Sequence, residues 1–301
     1  MKKVLISGGT GLVGERLSKM LEEKGYAVAH LSRSERKSNR KTIVWDVDQM
    51  QLDAKEIEAF DGIIHLAGAG IVDKPWSEER KKTIQSSRVD SSRLLKEAIS
   101  QNAKRPSSFV SASAIGYYGF TSSAHIHNET DPAGNDFLAD TCVLWENSVD
   151  EIAQLGIPTA KIRIGIVLSK DGGALKAMAQ PVLYGLGAPL GTGNQYIQWI
   201  HIDDLCRIFI HALENNLEGA YNAAVPSSKQ VNNRTFIHTL GKVLHRPVWL
   251  PRVPAFVMKL ILGKRALLVL EGSRVSSQKI QESGFDFLFE NLEDALKDLY
   301  S

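Results

Sequence analysis

The chain has little of what would place it outside the ordinary globular folds. Its 301 residues include two cysteines, Cys142 and Cys206, and no C-x-x-C. That excludes a disulfide framework and a thiolate zinc site, and suits a reducing compartment. No stretch approaches the roughly 18 uninterrupted apolar residues of a membrane span. The apolar run after the first lysines is cut at Gly8 and Gly9, too short for a signal core. The net charge is +2, which gives no general attraction to nucleic acid or to a membrane surface. Internal repeats and low-complexity segments are absent. His125 and His127 have metal-like spacing, but in a polar loop without an obvious third ligand they read as a surface turn, and no metal is expected. These exclusions leave a cytoplasmic protein with neither nucleic acid nor membrane as partner.

What is present is alternation. Short apolar runs at 2–7, 26–32, 41–47, 62–70, 107–113 and 159–169 read as six strands. Between them Val13, Leu17, Met20 and Leu21 share one helical face, and helical patterns cover about 77–100 and 136–155. Such alternation predicts an α/β fold, a Rossmann-type doubly wound parallel sheet with both faces covered. After residue 169 the pattern turns rich in Gly and turn residues, with helices near 203–215 and 233–243 and a last one carrying Leu292, Ala295, Leu296 and Leu299. Residues 1–169 are therefore read as a nucleotide-binding domain. Residues 170–301 are read as a smaller C-terminal α/β lobe that binds substrate and is partly interwoven with the main sheet.

The stretch SGGTGLVG, residues 7–14, joins the first strand to the first helix. Glycines at 8, 11 and 14 suit a tight turn, close approach of backbone N–H groups to a pyrophosphate, and close helix–strand packing. The helix tip adds free N–H donors and partial positive charge. Gly8, Thr10, Gly11, Leu12, Val13 and Gly14 are accordingly assigned to a dinucleotide. At the end of the second strand stand Ser32 and Arg33, where a carboxylate would mark NAD; a guanidinium there suits the 2′-phosphate of NADP. Arg36 and Lys37, just beyond, read equally well as a solvated basic loop. Asp46 can accept from the adenine amino group. Leu66, Ala67, Gly68 and Ala69 give a small-residue strand end along which a coenzyme can lie.

With ISGGTGLVG, HLAGAGI, SSRVDSSRLL, SASAIGYYG, GNDFLADTCVLWE, RIGIVLS and QWIHIDDL in place, the chain resembles, nearly end to end, the extended short-chain dehydrogenases/reductases, and among them the atypical sugar-nucleotide epimerase-like branch. The resemblance implies a Rossmann fold, a C-terminal substrate lobe and NADP, but no particular substrate. The wider superfamily uses a Tyr-x-x-x-Lys pair, in which the lysine lowers the tyrosine pKa for proton exchange during hydride transfer. None of the seven tyrosines here has a lysine four residues on. Aligned on Trp145-Glu146, Leu138 stands at the tyrosine position and Cys142 at the lysine position. Arg88 stands where Asn is usual and is counted among the coenzyme contacts. Gly165 and Ile166 fall beside the expected nicotinamide.

Ser113 keeps the place of the superfamily's catalytic serine. Tyr117 and Tyr118, on the loop after the fifth strand, are the candidate acids, although an unassisted phenol titrates near about 10, and packing would equally account for them. Cys142 inside a helix reads as packing. His201 and Asp203 read as a lobe junction and a helix cap, and Trp199 as either cleft or core. The expected function is NADP(H)-dependent hydride transfer on a small carbonyl or carbinol compound, with nucleotide sugars among the candidates, in an oxidoreductase or epimerase with a non-standard site. The alternative is an NADP(H)-holding sensor or scaffold without turnover. The partner is a small molecule, and a homodimer is the assembly considered.

Overall fold

The computed structural model describes residues 2–35, 39–120 and 125–301. Arg36 and Lys37 of the basic segment lie outside the described residues. In chain order the strands are β1 (Lys3–Ser7), β2 (Ala27–Ser32), β3 (Lys41–Val44), β4 (Gly62–His65), β5 (Ser108–Ala114), β6 (Ile126–His127), β7 (Thr159–Ile164), β8 (Ile166–Leu168), β9 (Tyr196–Ile197), β10 (Trp199–His201), β11 (Gly219–Ala223), β12 (Val231–Asn232) and β13 (Arg274–Val275). The helices are α1 (Leu12–Glu23), α2 (Ala54–Ile57), α3 (Glu78–Ser100), α4 (Phe137–Ala153), α5 (Gly173–Leu183), α6 (Ile202–Glu214), α7 (Asn233–Val243), α8 (Ala255–Leu262), α9 (Leu267–Leu270), α10 (Gln278–Glu282) and α11 (Leu292–Tyr300).

Seven strands make one parallel sheet in the order β11-β7-β5-β4-β1-β2-β3. This is the doubly wound α/β sheet that the strand–helix alternation predicts. Its central strands β1, β4 and β5 are buried on both faces; β1 and β4 carry continuous apolar runs, and β5 opens on Phe109-Val110 and continues with small buried serines and alanines. Chain direction across the sheet reverses between β1 and β4, the switch point at which such sheets open a crevice. Side-chain caps fix the helix starts that matter for the site. Ser77 caps α3 by accepting from the Arg80 N–H, and Asp136 caps α4 by accepting from the Leu138 and Ala139 N–H groups.

The segment 159–169, which reads as one strand, is broken at Gly165. Up to Ile164 it pairs with β5 and β11 as β7; from Ile166 it pairs with β10 as β8. Gly165 N–H still donates to Ala223 O at 3.0 Å, whereas Ile166 N–H donates to Gln198 O at 2.6 Å. A Cβ on Gly165 would collide with the Gln198 carbonyl, so only glycine lets the chain change partners there. The residues beyond 170 also enter the main layer: β11 forms a sheet edge, and α6 packs on α1. His201 caps α6 through Nδ1, which accepts from the Asp203 N–H at 3.1 Å, and Asp203 takes a two-pronged ion pair from Arg16 of α1 at 2.6 and 2.7 Å.

One buried polar chain fixes the end of β4. The Ser7 hydroxyl accepts from the Leu66 and Ala67 N–H groups at 3.2 and 3.3 Å and lies 2.6 Å from His65 Nδ1. His65 Nε2 lies 3.1 Å from Ser91 Oγ, and Ser91 donates to Ser87 O at 2.7 Å. The chain closes if Nδ1 accepts and Nε2 carries the proton, the neutral tautomer. Burial, and after it the Arg88 charge, pushes His65 down to about 3. Below the ordinary histidine range the unfolded chain therefore takes up a proton that the folded one refuses, so stability falls with pH from near pH 6.5 until the folded imidazole titrates. Urea unfolding should show wild type losing up to about 1.4 kcal/mol per pH unit more than His65→Gln between about pH 6 and pH 4. Equal slopes for the two proteins would remove His65 as the source.

Candidate functional site

A cleft of about 450 Å³ opens over the carboxyl ends of β1 to β4. Gly8, Thr10, Ser32, Arg33, Asp46, Ala67, Gly68 and Ala69 line it. Gly11, Leu12, Val13 and Gly14 form the turn and helix tip at its edge. Gly8 takes φ +69°, and a Cβ on Gly14 would overlap the Gly8 carbonyl, so the third glycine is what seats α1 on the turn. Gly11 is the N-cap of α1, and no side chain caps it. The first-turn N–H groups and the positive end of the helix dipole are thus left for an anion. Leu66 follows β4 with its N–H held by Ser7.

The opposite wall was not assigned from sequence. It is a small polar face of α3 carrying Thr83, Ser86, Ser87, Asp90 and Ser91. Ser87 Oγ accepts the Ala69 N–H at 3.0 Å and so holds the β4 loop against the helix. The paired serines in SSRVDSS were the available signal. Asp46 uses one oxygen to accept from the Gln49 N–H at 2.9 Å, closing its own turn. Gly165 and Ile166 do not line this cleft; they stand at the end of β7, beyond β5.

Arg88 does not line the cleft; it lies buried beneath Gly68. One guanidinium nitrogen donates to Ala69 O at 3.1 Å and Ile84 O at 2.9 Å, and the group lies 5.1 Å from the Trp145 ring. Burial lowers its pKa to about 10, so it is a cation at neutral pH. Among the described residues no carboxylate pairs with it. Cys142 is its electrostatic neighbour, and burial pushes that thiol up to about 12, which leaves it neutral and inert.

The three hydroxyls named as catalytic candidates are treated differently by the fold. Ser113 is buried and donates to Glu146 Oε1 at 2.7 Å. Glu146 receives Arg163 in a fork, Nε at 2.8 Å and Nη2 at 2.9 Å. Burial alone would lower the Arg163 pKa; Glu146 outweighs it and raises it. Tyr118 is buried, accepts from Arg163 Nη1 at 2.9 Å and donates to Asn222 Oδ1 at 2.8 Å, and burial pushes it up to about 12. Tyr117 is half-buried with Arg163 3.5 Å from its ring centroid, and its hydroxyl has no hydrogen-bond partner among the described residues.

Glu146 enters the sequence reading only as an anchor, whereas the structure makes it the carboxylate that joins Ser113 to Arg163. Leu138, Cys142, Glu146 and Val149 fall on one helical face, which already placed a carboxylate among core residues. The reading of His125 and His127 lacked a third partner; the structure supplies Asp131, whose Oδ2 lies 2.6 Å from His125 Nε2 and 3.0 Å from His127 Nδ1. Trp199 is fully buried and belongs to the core. Among the described residues no helix is long and apolar enough to cross a membrane.

The family model described as the NAD dependent epimerase/dehydratase family matches residues 4–224, and one described as a domain of unknown function (DUF1731) matches residues 253–299. The chain is 36% identical over 302 residues to the epimerase family protein SDR39U1 homolog, chloroplastic, of Arabidopsis thaliana, covering 98% of this chain and 85% of that protein. It is 34% identical over 299 residues to the epimerase family protein YfhF of Bacillus subtilis, covering 98% and 97%. Among solved structures, human epimerase family protein SDR39U1 (isoform 2) with NADPH superposes with a TM-score of 0.86 at 31% identity, covering 99% of this chain and 98% of that one.

The Ser113–Glu146–Arg163–Tyr118 network makes its own prediction. Glu146→Ala should destabilise the protein by about 3–5 kcal/mol, because it strands a buried guanidinium. Chemical denaturation measures this, and a loss below about 1 kcal/mol would mean that Arg163 finds water instead.

Proposed function

Because the chain belongs to the NAD dependent epimerase/dehydratase family, we propose that it holds NADP(H) across the switch-point cleft and serves hydride transfer at a carbonyl or carbinol carbon of a small molecule. The observation that carries this reading is the uncapped tip of α1 aimed into a cleft whose adenosine end carries Arg33. Gly8, Thr10, Gly11, Leu12, Val13 and Gly14 would hold the pyrophosphate, Ser32 and Arg33 the 2′-phosphate, and Asp46 the adenine. Leu66 to Ala69 would flank the coenzyme, with Arg88, Gly165 and Ile166 toward its nicotinamide. A relative of this length, 31% identical, is described with NADPH. The coenzyme, when bound, supplies or takes up the hydride.

The chain's own residues then have to move a proton without a Tyr-x-x-x-Lys pair. Ser113 and Tyr118 point their protons into the protein, so we assign them a positioning role on the Glu146–Arg163 network. Tyr117 is the hydroxyl left to exchange a proton with substrate. The cation that a lysine would bring from α4 comes instead from α3, as Arg88 beside the neutral Cys142. A second reading, coenzyme binding without turnover, is favoured by one observation: Leu138 and Cys142 leave no acid on the face of α4 that carries it in the superfamily. Following NADPH absorbance against a broad panel of carbonyl compounds and nucleotide sugars separates the two, since persistent binding without oxidation selects the second.

Two substitutions test the coenzyme assignment. Arg33→Asp should weaken NADPH by about 1.5–3 kcal/mol, the scale of a charge-assisted bond, while leaving NADH nearly unchanged; equal losses would take Arg33 off the 2′-phosphate. Arg88→Met should lower NADPH affinity about tenfold with an unchanged or higher Tm, since it removes an uncompensated buried charge, and Arg88→Lys should recover part of the affinity. Full affinity in the Met variant would leave Arg88 without a coenzyme role.

A further inference from the structure

Beside Leu138, between the starts of α3 and α4 and the segment from α8 to α9, lies a second hollow of about 420 Å³. One wall is aromatic, built from Trp76, Phe120 and Phe137; the facing wall is Ala266 and Leu267. The Trp76 and Phe137 rings meet edge to face at 5.4 Å, and Ile84 and Leu138 complete the same apolar cluster behind them. Leu138, which the resemblance puts at the tyrosine position, thus packs directly behind this aromatic wall.

The polar atoms of these walls are turned inward. The Trp76 indole N–H donates to Ile71 O at 2.9 Å. The Asp136 carboxylate accepts from Leu138 and Ala139 N–H with one oxygen and from Phe120 N–H with the other. What the hollow offers a ligand is mostly carbon surface with three lysines around it, against the Asp136 carboxylate, whose oxygens are taken up by backbone N–H groups, and Glu78, whose charge is felt by both Lys81 and Lys264. Lys81 Nζ lies 5.4 Å from the Phe137 ring centroid while paired with Glu78 at 2.9 Å. Lys259 and Lys264 stand exposed at the rim, and among the described residues neither is paired with a carboxylate.

A hexose carries a hydroxyl on most of its carbons, and those laid on the Trp76, Phe137, Ala266 and Leu267 surface would lose water without gaining a partner. A flat ring would stack on Trp76 and Phe137, and an anion at its far end would meet the two unpaired ammonium groups. We propose that this hollow is a substrate-recognition subsite, separate from the cleft that holds the coenzyme, and that it takes an aromatic carbonyl compound bearing a carboxylate, in preference to a sugar. The proposal deepens the hydride-transfer reading and rests on it for the fate of the carbonyl.

Calorimetric titration of the full chain tests it, first with NADP+ and then, on the NADP+-saturated and on the free protein, with para-formylcinnamate, its methyl ester and UDP-glucose. The acid should bind about tenfold tighter than the ester and tighter than UDP-glucose, and Lys259→Gln with Lys264→Gln should erase the acid–ester gap without changing NADP+ affinity. Equal binding of acid and ester, tighter binding of UDP-glucose, or a gap that survives the double substitution would overturn the assignment. Absence of heat with NADP+ would instead overturn the coenzyme reading, and the acid–ester comparison on the free protein would still decide this one.

Discussion

The cleft depends on how closely the tip of α1 approaches the ends of β1 and β4. Gly14 rests against the Gly8 carbonyl with no room for a side chain between them, and that contact aims the first-turn N–H groups at the switch point. The same tip is held from its outer side by α6: Arg16 reaches Asp203, and Cys206 Sγ lies 3.8 Å from the Val13 carbonyl. A segment more than 180 residues away in sequence thus sets the orientation of the first helix. Ser7 does the corresponding work for the β4 loop, since its one hydroxyl fixes both Leu66 and Ala67. Helix tip and loop are rigid for independent reasons, so the walls of the cleft are set before any ligand arrives.

Much of this was legible in the sequence. Doubly buried parallel strands must be continuously apolar, and VLI, GII and FV are. The glycine spacing and the Ser32-Arg33 pair lie within short windows where local chemistry decides. The break at Gly165 was not legible, because an apolar run does not record which strand it pairs with. Neither was the Arg163–Glu146 fork, since each partner alone reads as an ordinary charge and only the alignment of β7 with α4 buries them together. Trp199 could be read either way until β10 placed it inside. Asp131 was four residues from His127, within reach of inspection, but a turn had to bring its carboxylate back to both imidazoles.

The two buried guanidinium groups show how differently one residue type can be used. Arg163 meets a carboxylate, a phenol and an aromatic face and is saturated by protein. Arg88 meets two carbonyls and an indole and keeps its net charge uncompensated. Removing water from a cation without giving it a counter-ion is costly, and such a cost is retained where an incoming group offsets it. In the superfamily pattern the cation sits on α4; here α4 carries a thiol at that place, and on the proposed reading the cation comes from α3, packed against Gly68.

The edge strand β11 carries a consequence for how the chain can be divided. It pairs with β7 from Ala160 to Ile164, yet lies some 55 residues further along the chain. Truncation at residue 169 would therefore not release an autonomous N-terminal unit. It would strip β7 of its outer hydrogen-bonding neighbour, leaving only β5 on its other side, and bare the apolar faces that α6 covers, leaving a sticky, unprotected margin of the kind through which β-sheet proteins self-associate. The boundary visible in composition is not a seam along which the molecule comes apart, and its two halves have to be made together.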